Sequence, residues 1–237
     1  MLSWAENVLN ASANAETEQE LFDEVLRTAR AIGFDYCAYG MRLAFPVSRA
    51  KFFLINNYSP QWCDRYAEMQ YVEQDPTVIH GARSSVPLVW SDEVFAATPQ
   101  LWDEAQMSGL RVGWAQASPM RNGVAGMLSV ARSAEPLTAS ELAENDLRLR
   151  WLSSVAHMGF TRLVDARSIV CPEVELTDRE KEVLKWSAGG KTITDISEIL
   201  LISVDTVKFH TRNVLEKLNV ANRTAAVARA AYLGLLD

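Results

Sequence analysis

The chain has 237 residues, a formal net charge of −7, and 49% hydrophobic against 22% charged residues. That length allows one large domain or two smaller ones, and the balance excludes a mainly disordered chain. No apolar run approaches the roughly 20 residues of a membrane span, and the start, MLSWAENVLNASANAETEQE, lacks the basic region and long apolar stretch of a secretory signal. Cys37, Cys63 and Cys171 are odd in number and widely spaced, and His80, His157 and His210 are scattered. Neither a disulfide framework nor a metal site is therefore expected, and a reducing cytoplasm fits.

Thr17-Glu18-Gln19-Glu20 is a capping-box pattern, followed by Leu21, Val25, Leu26 and Ala29 at helical spacing; Gly33 ends that helix. Asp35 to Met41 and Lys51 to Asn56 read as strands. Ser59-Pro60 opens a helix through Gln70, and Asp75-Pro76 repeats the same start signal. Pro99 to Ser108 is predicted helical, with Gly109 as its stop. Gly113 to Ser118 and Gly126 to Arg132 form a predicted strand pair joined by a turn at Arg121-Asn122-Gly123, and Thr138 to about Leu163 is a long amphipathic helix. This order predicts an α+β chain whose first domain, residues 1–164, is an α/β/α sandwich with an antiparallel sheet.

Residues 165–175 include Pro172, lack a clear period and are read as a linker. Residues 176–237 then give a four-helix domain. Thr177-Asp178-Arg179-Glu180 is a second capping box, Thr192 and Ser203 cap the next two helices, and Asn222 or Arg223 starts the last, which ends at Gly234. The charge is uneven: residues 1–172 carry −6, yet 206–229 hold five basic residues against Glu216 alone. In the third helix Val207, Thr211, Val214 and Leu218 share one side, while Lys208 and Arg212 share another with His210 and Asn213 beside them. Two short helices joined by Leu201-Ile202, the second basic, suit a helix-turn-helix reader of double-stranded DNA. A solvated basic face on a small helical domain is the plainer alternative.

The string from Leu176 to Val227, including Glu180, Leu184, Gly190, Thr206-Val207-Lys208, His210 and Leu218, resembles the LuxR-type helix-turn-helix without a gap. Ser197 departs from the alanine more usual in that family, with an effect expected only on packing. The resemblance implies that Thr206, Lys208, His210 and Arg212 meet DNA. Lys208 and Arg212 would face bases and His210 would lie near phosphate, with the last helix helping to pair two copies and RNA polymerase as a further partner.

Such tails follow phosphorylated receiver domains or small-molecule sensors. A receiver needs an acidic pair after its first strand and a later lysine; the first strand here is Tyr36-Cys37-Ala38-Tyr39-Gly40, and no lysine lies between Lys51 and Lys181. The first domain instead carries Tyr58, Trp62, Tyr66, Asp75, Trp90, Trp102 and Ser129. Read by residue chemistry alone, the tryptophans and Tyr66 suit a core, Ser129 a small buried position, and Asp75 a helix cap before Pro76.

Their order, with N-Y-S-P-Q-W-C-D-R-Y from Asn57, D-P at Asp75, W-S at Trp90 and G-L-R-V-G ending at Gly113, resembles the autoinducer-binding domain of LuxR-type quorum-sensing receptors. The resemblance implies an N-acyl-homoserine lactone ligand. Trp62 would donate to the lactone carbonyl, Asp75 accept from the amide N–H, and Tyr58 and Ser129 donate to the amide carbonyl, with the remaining aromatics as walls. Ala38, Met41 and Met127 are candidates for the end of the pocket that takes the acyl tail. The whole is read as a cytoplasmic, homodimeric, ligand-responsive transcription factor with no enzyme activity and no cofactor beyond its ligand. A sensor for a different small molecule, or a ligand-free interaction module, is the alternative reading of the first domain.

Overall fold

The computed structural model describes residues 3–43, 51–121, 124–168 and 174–236. These residues fall into two compact units, one made of 3–43, 51–120 and 124–168 and the other of 174–236. No described helix is long and apolar enough to cross a membrane.

The first unit runs α1 (Ser3–Asn14), α2 (Glu18–Ala31), β1 (Tyr36–Leu43), β2 (Lys51–Asn56), α3 (Pro60–Glu68) and α4 (Pro76–Gly81). It continues through β3 (Leu88–Val89), α5 (Pro99–Met107), β4 (Val112–Arg121), β5 (Val124–Arg132) and α6 (Ala139–Ser168). The sheet order is β2-β1-β5-β4-β3, with β1 antiparallel to both β2 and β5, and β3 antiparallel to β4. The expected caps are present: Thr17, Ser59 and Asp75 each accept a backbone N–H from the first turn of α2, α3 and α4. Two expectations shift. α6 continues past Leu163 to Ser168, into the segment read as linker, and α1, β3 and a 3₁₀ turn at Tyr71–Glu73 were not anticipated. Residues 122–123 of the expected turn and 169–173 of the expected linker lie outside the described residues.

The two-residue period of the strands divides the unit into two cores. Cys37, Tyr39, Met41 and Leu43 of β1, with Leu128 and Val130 of β5, pack under α1, α2 and α6. Tyr36, Ala38 and Gly40, with Met127, Ser129 and Ala131, face the other way, toward a second core made by Trp62, Tyr71, Phe95, Leu101 and Trp102. Gly126 makes the first packing possible. The Tyr39 hydroxyl and His157 Nδ1 meet at 2.7 Å, and a Cβ on Gly126 would sit 2.3 Å from that hydroxyl and 2.4 Å from Nδ1.

The second unit is α7 (Asp178–Ala188), α8 (Ile193–Leu200), α9 (Val204–Lys217) and α10 (Arg223–Tyr232), capped by Thr177, Thr192, Ser203 and Asn222. Val183, Ile196 and Val207 form one small core, and Leu184, Val214, Leu218, Ala226 and Ala230 form another. Glu180 is 2% exposed, closes the capping box on the Thr177 N–H at 2.8 Å, and takes Lys217 Nζ at 2.7 Å, so one carboxylate ties α7 to α9. The hydroxyl of Ser197 is satisfied by the Thr194 carbonyl at 2.8 Å, which lets a serine sit buried there.

Candidate functional site: an apolar cavity and a basic helix

A cavity of about 450 Å³ lies between the sheet and α3, α4 and α5. Its floor is two cross-strand pairs, Ala38 with Ser129 and Gly40 with Met127. The small side chains of β1 leave the depth that larger residues would fill. Asn56, Leu54 and Phe52 continue the same face across β2, and Phe52 and Leu54 stay 64% and 60% exposed. All seven residues singled out in the first domain line this space, although they come from five separate stretches of chain. Of the three residues considered for its far end, Ala38 and Met127 line it. Met41 does not: three residues from Ala38 on a strand, it points into the opposite core and is 2% exposed.

The polar groups converge from α3 and α4. Ser59 and Pro60 start α3 so that Trp62 and Tyr66, one turn apart, project together, their rings edge-on at 5.7 Å. Asp75 Oδ1 accepts from the Thr77 backbone N–H at 2.8 Å and from Thr77 Oγ1 at 2.7 Å, while Oδ2 accepts from the Tyr66 hydroxyl at 2.9 Å. Asp75 is thus a helix cap and a cavity-lining carboxylate at once. Burial pushes its carboxyl above the ordinary value of 3.8, against the hydrogen bonds from Thr77 and Tyr66. Burial, with Asp75 nearby, also raises the phenols of Tyr58 and Tyr66, so both remain protonated donors at neutral pH. Among the described residues, the buried Trp90 indole N–H has no hydrogen-bond partner, no bond is made by the Trp62 indole N–H or the Ser129 hydroxyl, and all three residues face the cavity.

The aromatic end is a stack. Trp102 lies parallel to Phe95 at 4.4 Å, and its indole N–H donates to Asp92 Oδ1 at 2.7 Å, so it offers the cavity a wall and no donor. Trp90 stands edge-on to both rings, and its backbone N–H donates to the Gly113 carbonyl at 2.8 Å. A Cβ on Gly113 would lie 2.3 Å from the Trp90 ring, so the indole can lie against β4 only because position 113 is glycine. The sequence reading missed Thr77, Asn56 and Phe95, which also line the cavity. Thr77 was findable as the residue after the Asp-Pro start. Asn56 was findable from the alternation of β2; Phe95 carried no local signal.

The acidic lining residues are Asp75 and Glu73, and among the described residues no lysine, arginine or histidine lines the cavity. Such a cavity suits a neutral molecule with an N–H to give, a carbonyl to receive and an apolar remainder, and it disfavours an anion.

In the second unit, α8 and α9 are joined by Leu201-Ile202, with Leu201 at φ 54 closing α8 and Ser203 capping α9. Thr206 is half-buried with its hydroxyl 2.8 Å from Ser203 Oγ, and Lys208 is exposed with Nζ 3.1 Å from Asp205. Arg212 is exposed and makes no ion pair or hydrogen bond among the described residues. At about 100° per residue, Lys208 and Arg212 form one flank of the outward face of α9. His210 falls with Thr206 on the other flank, not beside Lys208 and Arg212 as the spacing was read.

Residues 17–159 match the autoinducer binding domain family, and residues 174–230 match the bacterial regulatory proteins of the luxR family. The chain is 41% identical to the transcriptional activator protein AnoR of Acinetobacter nosocomialis, over 100% of both chains. It is 36% identical to the HTH-type quorum-sensing regulator RhlR of Pseudomonas aeruginosa, over 99% of this chain and 97% of that one. Escherichia coli SdiA, solved in complex with octanoyl-rac-glycerol, superposes with a TM-score of 0.81 at 32% identity, over 99% of this chain and 96% of that one.

Proposed function

The chain belongs to the luxR family of bacterial regulatory proteins, with an autoinducer-binding domain ahead of its helix-turn-helix, and from that premise we propose that its cavity takes an N-acyl-homoserine lactone. It is a ligand-responsive transcriptional regulator and not an enzyme. The observation that carries the ligand reading is the set of polar groups in a mostly apolar cavity with no basic residue among its described lining: the Trp62 N–H, a carboxylate oxygen of Asp75, and the hydroxyls of Tyr58 and Ser129. In this reading Trp62 donates to the lactone carbonyl and Asp75 accepts from the amide N–H. Tyr58 and Ser129 donate to the amide carbonyl, and Tyr66, Trp90 and Trp102 wall the head group. The acyl tail runs over Ala38, Gly40 and Met127.

Ligand that binds the folded first domain alone gives the Trp62 N–H and Ser129 hydroxyl partners and covers the apolar lining, so it stabilises that domain by mass action. The loaded chain then acts in the cytoplasm as a homodimer, setting two copies of α9 about one helical turn apart on an inverted repeat of roughly 20 base pairs and meeting RNA polymerase there. Thr206, Lys208, His210 and Arg212 make the DNA contacts.

A second reading has one observation behind it: SdiA, similar over nearly the whole chain, holds an acylated glycerol. A monoacylglycerol is also neutral and has an apolar tail, but lacks an N–H for Asp75. The test is mass spectrometry of protein purified from cells given a mixture of acyl-homoserine lactones and monoacylglycerols. Recovery of a lactone supports the proposal, recovery of only the glycerol ester supports the second reading, and recovery of neither favours a ligand-free interaction module. Trp62→Phe keeps the ring and removes the donor, so the dose response to the lactone moves by about 10-fold or more, the equivalent of a lost hydrogen bond of about 1–3 kcal/mol.

A further inference from the structure

The outward face of α9 has an aromatic side chain at its centre. Val207, Val214 and Leu218 are buried, and Thr211 is half-buried beside them. At about 100° per residue Phe209, which is 56% exposed, falls nearly opposite this inward stripe, with the exposed Glu216 about two turns further along the same line. Its one ring contact among the described residues is edge-on with His210, centroids 5.6 Å apart. Phe209 therefore adds nothing to either small core of its unit. It lies between the two flanks already described, with Lys208 and Arg212 on one side and Thr206 and His210 on the other. Polar residues are the usual occupants of a solvated helix face, and an apolar ring exposed beside Lys208 and Arg212 suits a partner that is both anionic and locally apolar.

DNA supplies both in one place. In the major groove the 5-methyl group of thymine is the only apolar feature on a base edge, and side chains such as phenylalanine read it by contact. We propose that Phe209 reads the 5-methyl group of a thymine in each half-site. Residues three apart on a helix have Cβ atoms about 5–6 Å apart, and bases along one strand are 3.4 Å apart. The thymine therefore lies within about two base pairs of the base that Arg212 contacts. This inference rests on α9 being the recognition helix, and the experiment separates the two.

The full chain, purified from cells supplied with an acyl-homoserine lactone mixture, selects an operator from a randomised duplex library. Each thymine of that operator is then replaced singly by uracil, which removes the methyl group and nothing else. For the parent chain, one uracil per half-site weakens binding by about 4-fold, the equivalent of ~0.8 kcal/mol for one buried methyl-sized group. The other thymines are neutral. Phe209→Ala loses a similar factor on the thymine operator and loses nothing further on the uracil operator, while Phe209→Leu keeps most of the discrimination. Because the uracil scan of the parent needs no variant, a poorly folding substitution does not blunt the test. A parent chain indifferent to uracil at every position, or uracil and Phe209→Ala losses that multiply, overturns the proposal. If Arg212→Ala also leaves binding unchanged, the recognition-helix reading falls; if Arg212→Ala abolishes binding and only the uracil scan is silent, the role of Phe209 alone falls.

Discussion

The Tyr66 hydroxyl donates to Asp75 Oδ2 at 2.9 Å, so the carboxylate that caps α4 through Oδ1 is bound to α3 through its other oxygen. The two oxygens thus have separate work, and that separation makes the cap and the ligand role independently testable. Asp75→Asn keeps an oxygen for Thr77, and asparagine caps a helix as well as aspartate. In place of Oδ2, however, it presents an N–H₂ to the ligand's own N–H. The expected result is a dose response shifted by more than the roughly 10-fold of Trp62→Phe, with the melting temperature of the ligand-free chain lowered only by the loss of the Tyr66–Oδ2 bond, since the cap on Thr77 is kept. Parental sensitivity in this variant would return Asp75 to the role of a cap alone.

The raised carboxyl of Asp75 also fixes the sign of a pH effect. A folded-state value above the ordinary 3.8 means that the native chain holds this proton to higher pH than the unfolded chain. The stability contributed by this group is therefore greatest at acid pH and falls as the pH rises from 3.8 to the raised value. A ligand N–H favours the ionised form, so lactone affinity rises across the same window and is level above it. Titration calorimetry at a series of pH values checks this, with Asp75→Asn as the reference in which the slope is absent.

The absence of a basic residue from the described cavity lining predicts strong selection against ring-opened ligand. Hydrolysis of the lactone creates a carboxylate that would enter an apolar space already holding Asp75, with the exposed Glu73 at its rim. An unpaired buried charge is far costlier than an unpaired neutral group. N-octanoyl-homoserine lactone should raise the melting temperature of the chain, while its ring-opened acid at the same concentration should leave it unmoved. Equal shifts for the two would mean that the head group sits in solvent.

Gly113→Ala tests whether Trp90 must lie against β4. The added Cβ would meet the indole at 2.3 Å, too close for any rotamer of the ring at its present site. The indole must move into the cavity or out of the core, at about 1–3 kcal/mol for overpacking. The expected variant melts lower than the parent and responds to lactone with reduced sensitivity. A variant that melts and responds like the parent would show that the wall at Trp90 is free to adjust.

On the DNA side Lys208 and Arg212 of α9 are not equivalent. Lys208 already has Asp205 at 3.1 Å, an exposed pair worth little. Arg212 has no such partner among the described residues and carries the planar fork that bonds guanine O6 and N7. Arg212→Ala should weaken specific binding by about 5- to 150-fold, in line with about 1–3 kcal/mol for a bidentate contact, and Lys208→Ala by less. Band-shift titrations at fixed salt check the order.

Much of the chain's local structure was written in short-range signals. The caps at Thr17, Ser59, Asp75, Thr177, Thr192, Ser203 and Asn222 are all made, because a cap needs only a side-chain oxygen and an N–H two or three residues on. β2 was legible to the residue, from Lys51 to Asn56. α1 was not. Its helix is held by docking, with the Ser12 hydroxyl reaching the Val155 carbonyl of α6 across 143 residues of sequence. The same divide runs through the site. The sequence marked Tyr58, Trp62, Tyr66, Asp75, Trp90, Trp102 and Ser129 as a set, but that they line one space follows from how the sheet packs against α3, α4 and α5. The tertiary structure also decided that Met41 turns away while Thr77 and Phe95 turn in, that Trp102 gives its N–H to Asp92, and that Trp90 rests on Gly113. A cap closes within one turn of one helix, whereas a cavity is the space left where a sheet face and three helices meet. Strand register and glycine placement fix that space, and neither is visible in any window of sequence short enough to read locally.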